Sequence, residues 1–304
     1  MYVRCESNQP QVSPLGVAPD FSDQADWIEQ IAIEVEDDDV GALVAQGGHH
    51  FVALPREGDR LAGVARGGAE FRSEEQIVDD REDHDKMIPD MLIRTAAVPP
   101  FYKNGYLVAC ETTKQAVLID PGDEVDTLLD ESRELGATII AILLTHAHLD
   151  HVTGVAQAKA ETEAPIWLHQ DDLFLYSGVV EQGLMFGLTV KRQPEIDRFF
   201  GEGRCLEFGN YVVDVHHTPG HSPGGVCLAI GPATIDNRQL FVGDTLFAGS
   251  IGRTDLPGGD MDTLLNSIRT VLFDFSDDTP VLSGHGPATT VGEEKRSNPF
   301  LANG

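Results

Sequence analysis

The chain has 304 residues, 41% of them apolar, enough for one large α/β domain with an appendage or for two domains. Asp and Glu number 50 against 21 Lys and Arg, a net charge of −29, which argues against nucleic acid and anionic membranes as partners because both need a cationic face. The four cysteines, Cys5, Cys110, Cys205 and Cys227, form no CxxC pair, so neither a disulfide framework nor a zinc ribbon is expected.

Residues 1–22, with Pro10, Pro14 and Pro19 among polar residues, read as a flexible tail. Residues 1–16 hold no apolar core of a signal peptide, and no segment approaches the ~20 apolar residues of a membrane span, so a soluble, cytoplasmic protein is expected. Residues 23–91 read as a small N-terminal segment of unknown role. Within it 27–35 starts with helical spacing and then alternates like a strand, 36–39 is an acidic solvated turn, 50–54 is strand-like and 56–90 is a charged linker. His49 and His50 have no carboxylate or thiol at a persuasive spacing and read as ordinary residues.

From residue 92 the pattern changes. Strands are expected at 106–110 and 116–119, joined by the turn at 111–114. Asp120-Pro121-Gly122-Asp123 breaks the second strand, and Asp123 is expected to cap a helix with Val125, Leu128, Leu129 and Leu135 on its apolar face, closed by Gly136. The β-branched run 138–144 reads as a buried strand, and it stops at Thr145-His146-Ala147-His148-Leu149-Asp150-His151. His146 and His148 flank one small residue, so a loosely turned backbone can aim both imidazoles at one cation. Asp150 and His151 follow after the chain starts to turn, and face a second point about one metal–metal distance away, roughly 3.5–4 Å in two-metal hydrolytic sites.

Further along, 152–162 is helix-like, 165–169 strand-like, and the glycine-containing stretch 177–203 suits an irregular loop over a pocket. A strand at 211–215 leads into His216-His217-Thr218-Pro219-Gly220-His221-Ser222-Pro223-Gly224-Gly225, where Pro and Gly fix a rigid mount for one imidazole. Strands at 226–230 and 239–242 follow, the latter ending in Gly243-Asp244-Thr245-Leu246-Phe247. Asp260 is expected to cap a helix with apolar residues at 261, 264, 265, 268, 271 and 272, and 280–282 runs into Ser283-Gly284-His285-Gly286-Pro287. Four strand ends therefore present His or Asp, which argues for one catalytic α/β domain over 92–304.

THAHLDH, TPGHSPGG, GDTLF and SGHGP, in that order, resemble the metallo-β-lactamase superfamily, and within it the glyoxalase II-like branch, the hydroxyacylglutathione hydrolases. The segment Gly249-Ser250-Ile251-Gly252-Arg253-Thr254-Asp255 and the short C-terminus look like the compact bacterial form, without the helical C-terminal domain that gives long members cationic contacts to glutathione. The resemblance implies an αββα sandwich with a two-metal site at one edge of the paired sheets. It implies that His146, His148 and His221 hold one ion, that Asp150, His151 and His285 hold the other, and that Asp244 bridges them. Imidazoles and carboxylates suit zinc first, and also iron or manganese. A water bridging two such ions drops to a pKa of about 7 and would attack a thioester carbonyl beside Asp150 and Asp244.

His216, His217 and His169 read as strand or supporting residues. Arg253 could clamp a substrate carboxylate, or pair with Asp255 or Asp260. The expected partner is a small thioester such as S-lactoylglutathione, and the oligomeric state is left open. Rival readings are a mononuclear iron oxidoreductase resembling persulfide dioxygenases, and a hydrolase of another small ester, lactone or lactam.

Overall fold

The computed structural model describes residues 91–233 and 237–301; the expectations for 1–90, including the tail, the strand at 50–54, the linker and the His49–His50 pair, lie outside them. The first of two six-stranded sheets takes β1 (Met91–Ala96), β2 (Gly105–Cys110), β3 (Gln115–Ile119), β4 (Thr138–Leu143), β5 (Ile166–Leu168) and β6 (Arg198–Phe199) in that order. It is antiparallel as far as β3 and parallel from there to β6. The second contains β7 (Gly203–Phe208), β8 (Tyr211–His217), β9 (Val226–Pro232) and β10 (Gln239–Gly243). A two-stranded hairpin, β11 (Leu246–Phe247) with β12 (Ser250–Ile251), interrupts the chain before β13 (Pro280–Ser283) and β14 (Thr289–Thr290) complete that sheet. Its order is β14-β13-β10-β9-β8-β7, with β10 and β13 parallel and every other neighbour antiparallel.

Side-chain alternation makes these two sheets the middle of four layers. Along β2, Leu107 and Ala109 face the helices while Tyr106, Val108 and Cys110 face the opposite sheet; Val226, Leu228 and Ile230 of β9 do the latter from the other side. Both faces of these strands are buried, which is why they read as continuous apolar runs. Helices α1 (Val125–Glu134), α2 (Leu149–Val152), α3 (Val155–Thr162), α4 (Leu173–Ser177) and α5 (Val179–Met185) cover the first sheet. Helices α6 (Met261–Thr270) and α7 (Val291–Ser297) cover the second through Leu264, Ile268 and Val291. Each fully buried Leu or Ile contributes about 1.5–3 kcal/mol relative to exposure. The architecture is an αββα sandwich.

Several local expectations are met and others corrected. Asp260 caps α6 by accepting the Thr263 N–H at 2.8 Å, and Gly136 closes α1 with φ +63°. Asp123 does not cap α1: its carboxylate accepts from Thr153 Oγ1 at 2.7 Å, and Glu124 holds the cap position. Glu124 itself turns inward to buried Lys103, 2.5 Å away. The helix expected over 152–162 is split, because Gly154 donates to Pro121 O at 3.1 Å between α2 and α3. The stretch 177–203 is not an irregular loop throughout: it holds α5 and β6.

The carboxyl ends of β3, β4, β5, β10 and β13 meet at one edge, where backbone bonds stitch the sheets together. Val226 N donates to Thr145 O at 2.9 Å and Asn104 N to Gly284 O at 2.7 Å, while the bond from Gly284 N to Gly243 O at 2.8 Å extends the β10–β13 pairing within the second sheet. Such an edge is where α/β folds collect their sites.

Candidate metal centre

The four strand ends converge. His221 Nε2 lies 3.2 Å from His146 Nε2 and 2.8 Å from His148 Nδ1, so three imidazoles face one point. Beside them His285 Nε2 lies 3.1 Å from Asp150 Oδ2, and His151 Nε2 lies 3.7 Å from the same oxygen. Asp244 stands between the groups, with Oδ2 3.7 Å from both His221 Nε2 and His285 Nε2 and Oδ1 3.3 Å from His151 Nε2. Each trio could hold a metal ion through one atom per residue. Gly284 permits the packing, since a Cβ there would collide with Asp244 Oδ1.

Hydrogen bonds on the far side of the rings orient them. Thr145 Oγ1 donates to Asp120 Oδ2 at 2.6 Å, so it accepts from His146 Nδ1 at 3.1 Å. His151 Nδ1 donates to Asp120 Oδ2 at 3.0 Å, and His221 Nδ1 donates to the Arg253 carbonyl at 2.8 Å. His146 and His221 are left with a bare Nε2 aimed into the centre, the arrangement in which metal-ligating histidines are held, and His151 aims its Nε2 at Asp244 and Asp150. His151 Nε2 and Asp244 Oδ1 are buried without a hydrogen-bond partner. Buried polar atoms rarely stay unsatisfied, so the centre fits a cation of the zinc, iron or manganese kind. The two clusters are consistent with a dinuclear site.

Two supporting residues escape sequence reasoning. Fully buried Asp172 accepts from Ala147 N at 3.0 Å, Ser222 Oγ at 2.8 Å and Gly224 N at 2.6 Å, which clamps the loop of His146 and His148 to the loop of His221. Asp120 joins Thr145 to His151. Behind it the Lys103–Glu124 pair packs under the 120–124 turn, with Glu124 also accepting from Gly122 N at 2.9 Å.

Charge follows the same division. Burial, then repulsion from His151, His221 and His148, holds His146 well below the ordinary histidine range. Burial followed by His221 lowers His148 to about 3. For His151 burial also disfavours the charged form, but Asp244, Asp150 and the bond to Asp120 outweigh it and raise the ring to about 10. Burial disfavours both carboxylates too, yet His151 and His285 hold Asp150 down at about 2 and Asp244 well below its usual range.

Arg253 is bonded to Asp255 through two contacts of 2.7 and 2.6 Å, so the guanidinium has its carboxylate within the loop, and only the Arg253 carbonyl reaches the centre. His216 meets the Phe275 ring edge-on. His217 donates from Nε2 to Pro223 O at 2.8 Å and stacks on His169, ring centroids 4.2 Å apart, and neither residue belongs to either trio.

An αββα sandwich carrying a three-histidine cluster and a histidine–carboxylate cluster at its sheet edge, with one aspartate between them, defines a class of metalloprotein. The family model described as the metallo-beta-lactamase superfamily matches residues 98–285, and the chain belongs to that superfamily. The chain is 41% identical over 213 residues to hydroxyacylglutathione hydrolase GloC of Haemophilus influenzae, covering 69% of this chain and 98% of that one. It is similar to the crystal structure of TTHA1623 in a di-iron-bound form, at 42% identity and TM-score 0.60, over 68% and 99% of the two chains. It is also similar to the BLEG-1 B3 metallo-beta-lactamase, at 34% identity and TM-score 0.63, over 70% and 100%.

Proposed function

We propose that this metal-dependent hydrolase of the superfamily is a thioesterase acting on glutathione or other small thioesters, in the manner of the glyoxalase II-like branch. One observation carries the reading: Asp244 stands within 3.7 Å of histidines from both trios, so a single carboxylate would serve two ions. His146, His148 and His221 would hold one and Asp150, His151 and His285 the other. Two bound divalent ions supply Lewis acidity for the carbonyl and lower the pKa of water to about 7. Asp150 and Asp244 keep anionic oxygens at the centre and can orient an attacking water. The C–O bond forms from water, the C–S bond breaks, and carboxylate and thiol are released. A cysteine nucleophile is not required: Cys227, with Sγ 3.2 Å from Thr218 Oγ1, is pushed by burial up to about 11. The similarity to GloC supports the choice of thioester.

The test is metal content on purified protein, followed by thiol release from S-lactoylglutathione and a panel of small thioesters. Turnover that disappears with chelator and returns with metal is expected. Oxygen consumption with glutathione persulfide and no thioester turnover would replace the proposal with a mononuclear iron oxidoreductase. Ring opening of lactones or β-lactams alone would replace it with another hydrolytic specificity.

A further inference from the structure

Large apolar side chains lie bare along one side of the centre. Tyr102 is 62% exposed, Met185 50% and Phe186 52%. The rings of Phe101 and Phe186 meet edge to face with centroids 6.1 Å apart, which joins the turn around Tyr102 to the end of α5. Both supports are fastened to the metal centre. The backbone of Lys103, next to Tyr102, pairs with that of His285. Gln182 of α5 accepts from Leu149 N at 3.0 Å and donates to Ala147 O at 3.3 Å. Met185 and Phe186, three and four residues on, share the Gln182 side of the helix. Phe247 adds a ring edge-on to His285, centroids 6.2 Å apart. The apolar surface therefore borders the Asp150–His151–His285 cluster.

A contiguous exposed apolar patch marks a binding groove or an interface. Here it adjoins the groups that would act on a thioester. The common thiol carriers of acyl groups are polar and charged, so the side of a thioester that matches such a surface is the acyl chain. Each methylene buried against it strengthens binding by up to about fourfold. We infer that this lip receives the acyl chain of the substrate and makes the enzyme select thioesters of apolar acids over acetyl or lactoyl thioesters. The substrate class rests on the thioesterase reading; the lip is tested apart from turnover as well.

The experiment uses the full metal-loaded chain. The kcat/KM values for acetyl-, butyryl- and hexanoyl-glutathione are compared in the wild type and in the exposed-site variants Met185→Ser and Phe186→Ser. Binding of acetate and hexanoate is measured calorimetrically in parallel. The wild type is expected to gain about tenfold or more from acetyl to hexanoyl, in both kcat/KM and carboxylate affinity, and the variants should lose at least half of that logarithmic gain. A flat dependence in the wild type, or one unchanged in both variants, overturns the inference. Variants that change oligomeric state while the dependence persists assign the patch to contacts between copies instead. If no thioester is turned over but hexanoate still binds tenfold tighter than acetate and the variants lose that margin, the thioesterase reading fails and the lip stands.

Discussion

The two halves of the metal centre offer a cation different terms. One half is three buried imidazoles whose loops are bound together by Asp172. The other mixes two imidazoles with a carboxylate, and its His285 side chain is 28% exposed. In the metal-free protein His146 and His148 are held neutral, so an ion finds lone pairs ready. His151 is held as a cation up to about pH 10, so an ion there must displace a proton. The comparison teaches that one sheet edge can present a preformed half and a proton-gated half within one carboxylate's reach.

The strongest way to break that picture is to remove what the halves share. Asp244→Ala is expected to lose both ions and to lower turnover by about 10³-fold or more, whereas His285→Ala should keep one ion per chain. Metal analysis decides it: two ions retained by Asp244→Ala would end the shared-carboxylate role. Next, Asp172→Ala should weaken the three-imidazole half alone, by about 10–100-fold in chelator competition, because it frees the two loops. Equal weakening of both halves would contradict the clamp.

Proton gating predicts two slopes in the stability of chelated protein. His151 has a folded value of about 10 against 6.5 ordinarily, so its contribution is present below pH 6.5 and is lost as pH rises through about 10. His148 is depressed to about 3, so stability falls again as pH drops from 6.5 toward 3. Melting temperature should peak near pH 6.5 and fall by about 5 °C or more by pH 10, while metal-loaded protein stays level over that upper window. A chelated protein with no loss between pH 7 and 10 would show that His151 is not held charged. The smallest effect is expected at Arg253, whose guanidinium is paired within its own exposed loop. Arg253→Ala should change kcat/KM by less than about threefold, and a KM raised thirtyfold would restore the substrate clamp.

What could be read in advance follows from how local each signal is. The HxHxDH turn and the positions of His221, Asp244 and His285 were legible because each follows an apolar strand by a few residues. The apolar strands with His or Asp at their ends made an α/β domain legible for the same reason, whereas the sandwich followed from the resemblance of the four motifs to the superfamily. Asp172 and Asp120 were not, because their partners are backbone N–H groups, hydroxyls and the His151 ring, 25 to 52 residues away, that only the fold brings near. Asp123 misled because local capping chemistry favours it, whereas buried Lys103 draws Glu124 inward. Helix α5 was hidden by Gly183, which is a packing glycine: a Cβ there would press on Val190.

Anomalous diffraction from crystals of the wild-type protein, recorded at the zinc, iron and manganese edges, tests the central claim most directly. Two peaks roughly 3.5–4 Å apart are expected, one among His146, His148 and His221 and one among Asp150, His151 and His285, with Asp244 touching both. A single peak, or peaks outside those residues, would contradict a two-ion centre.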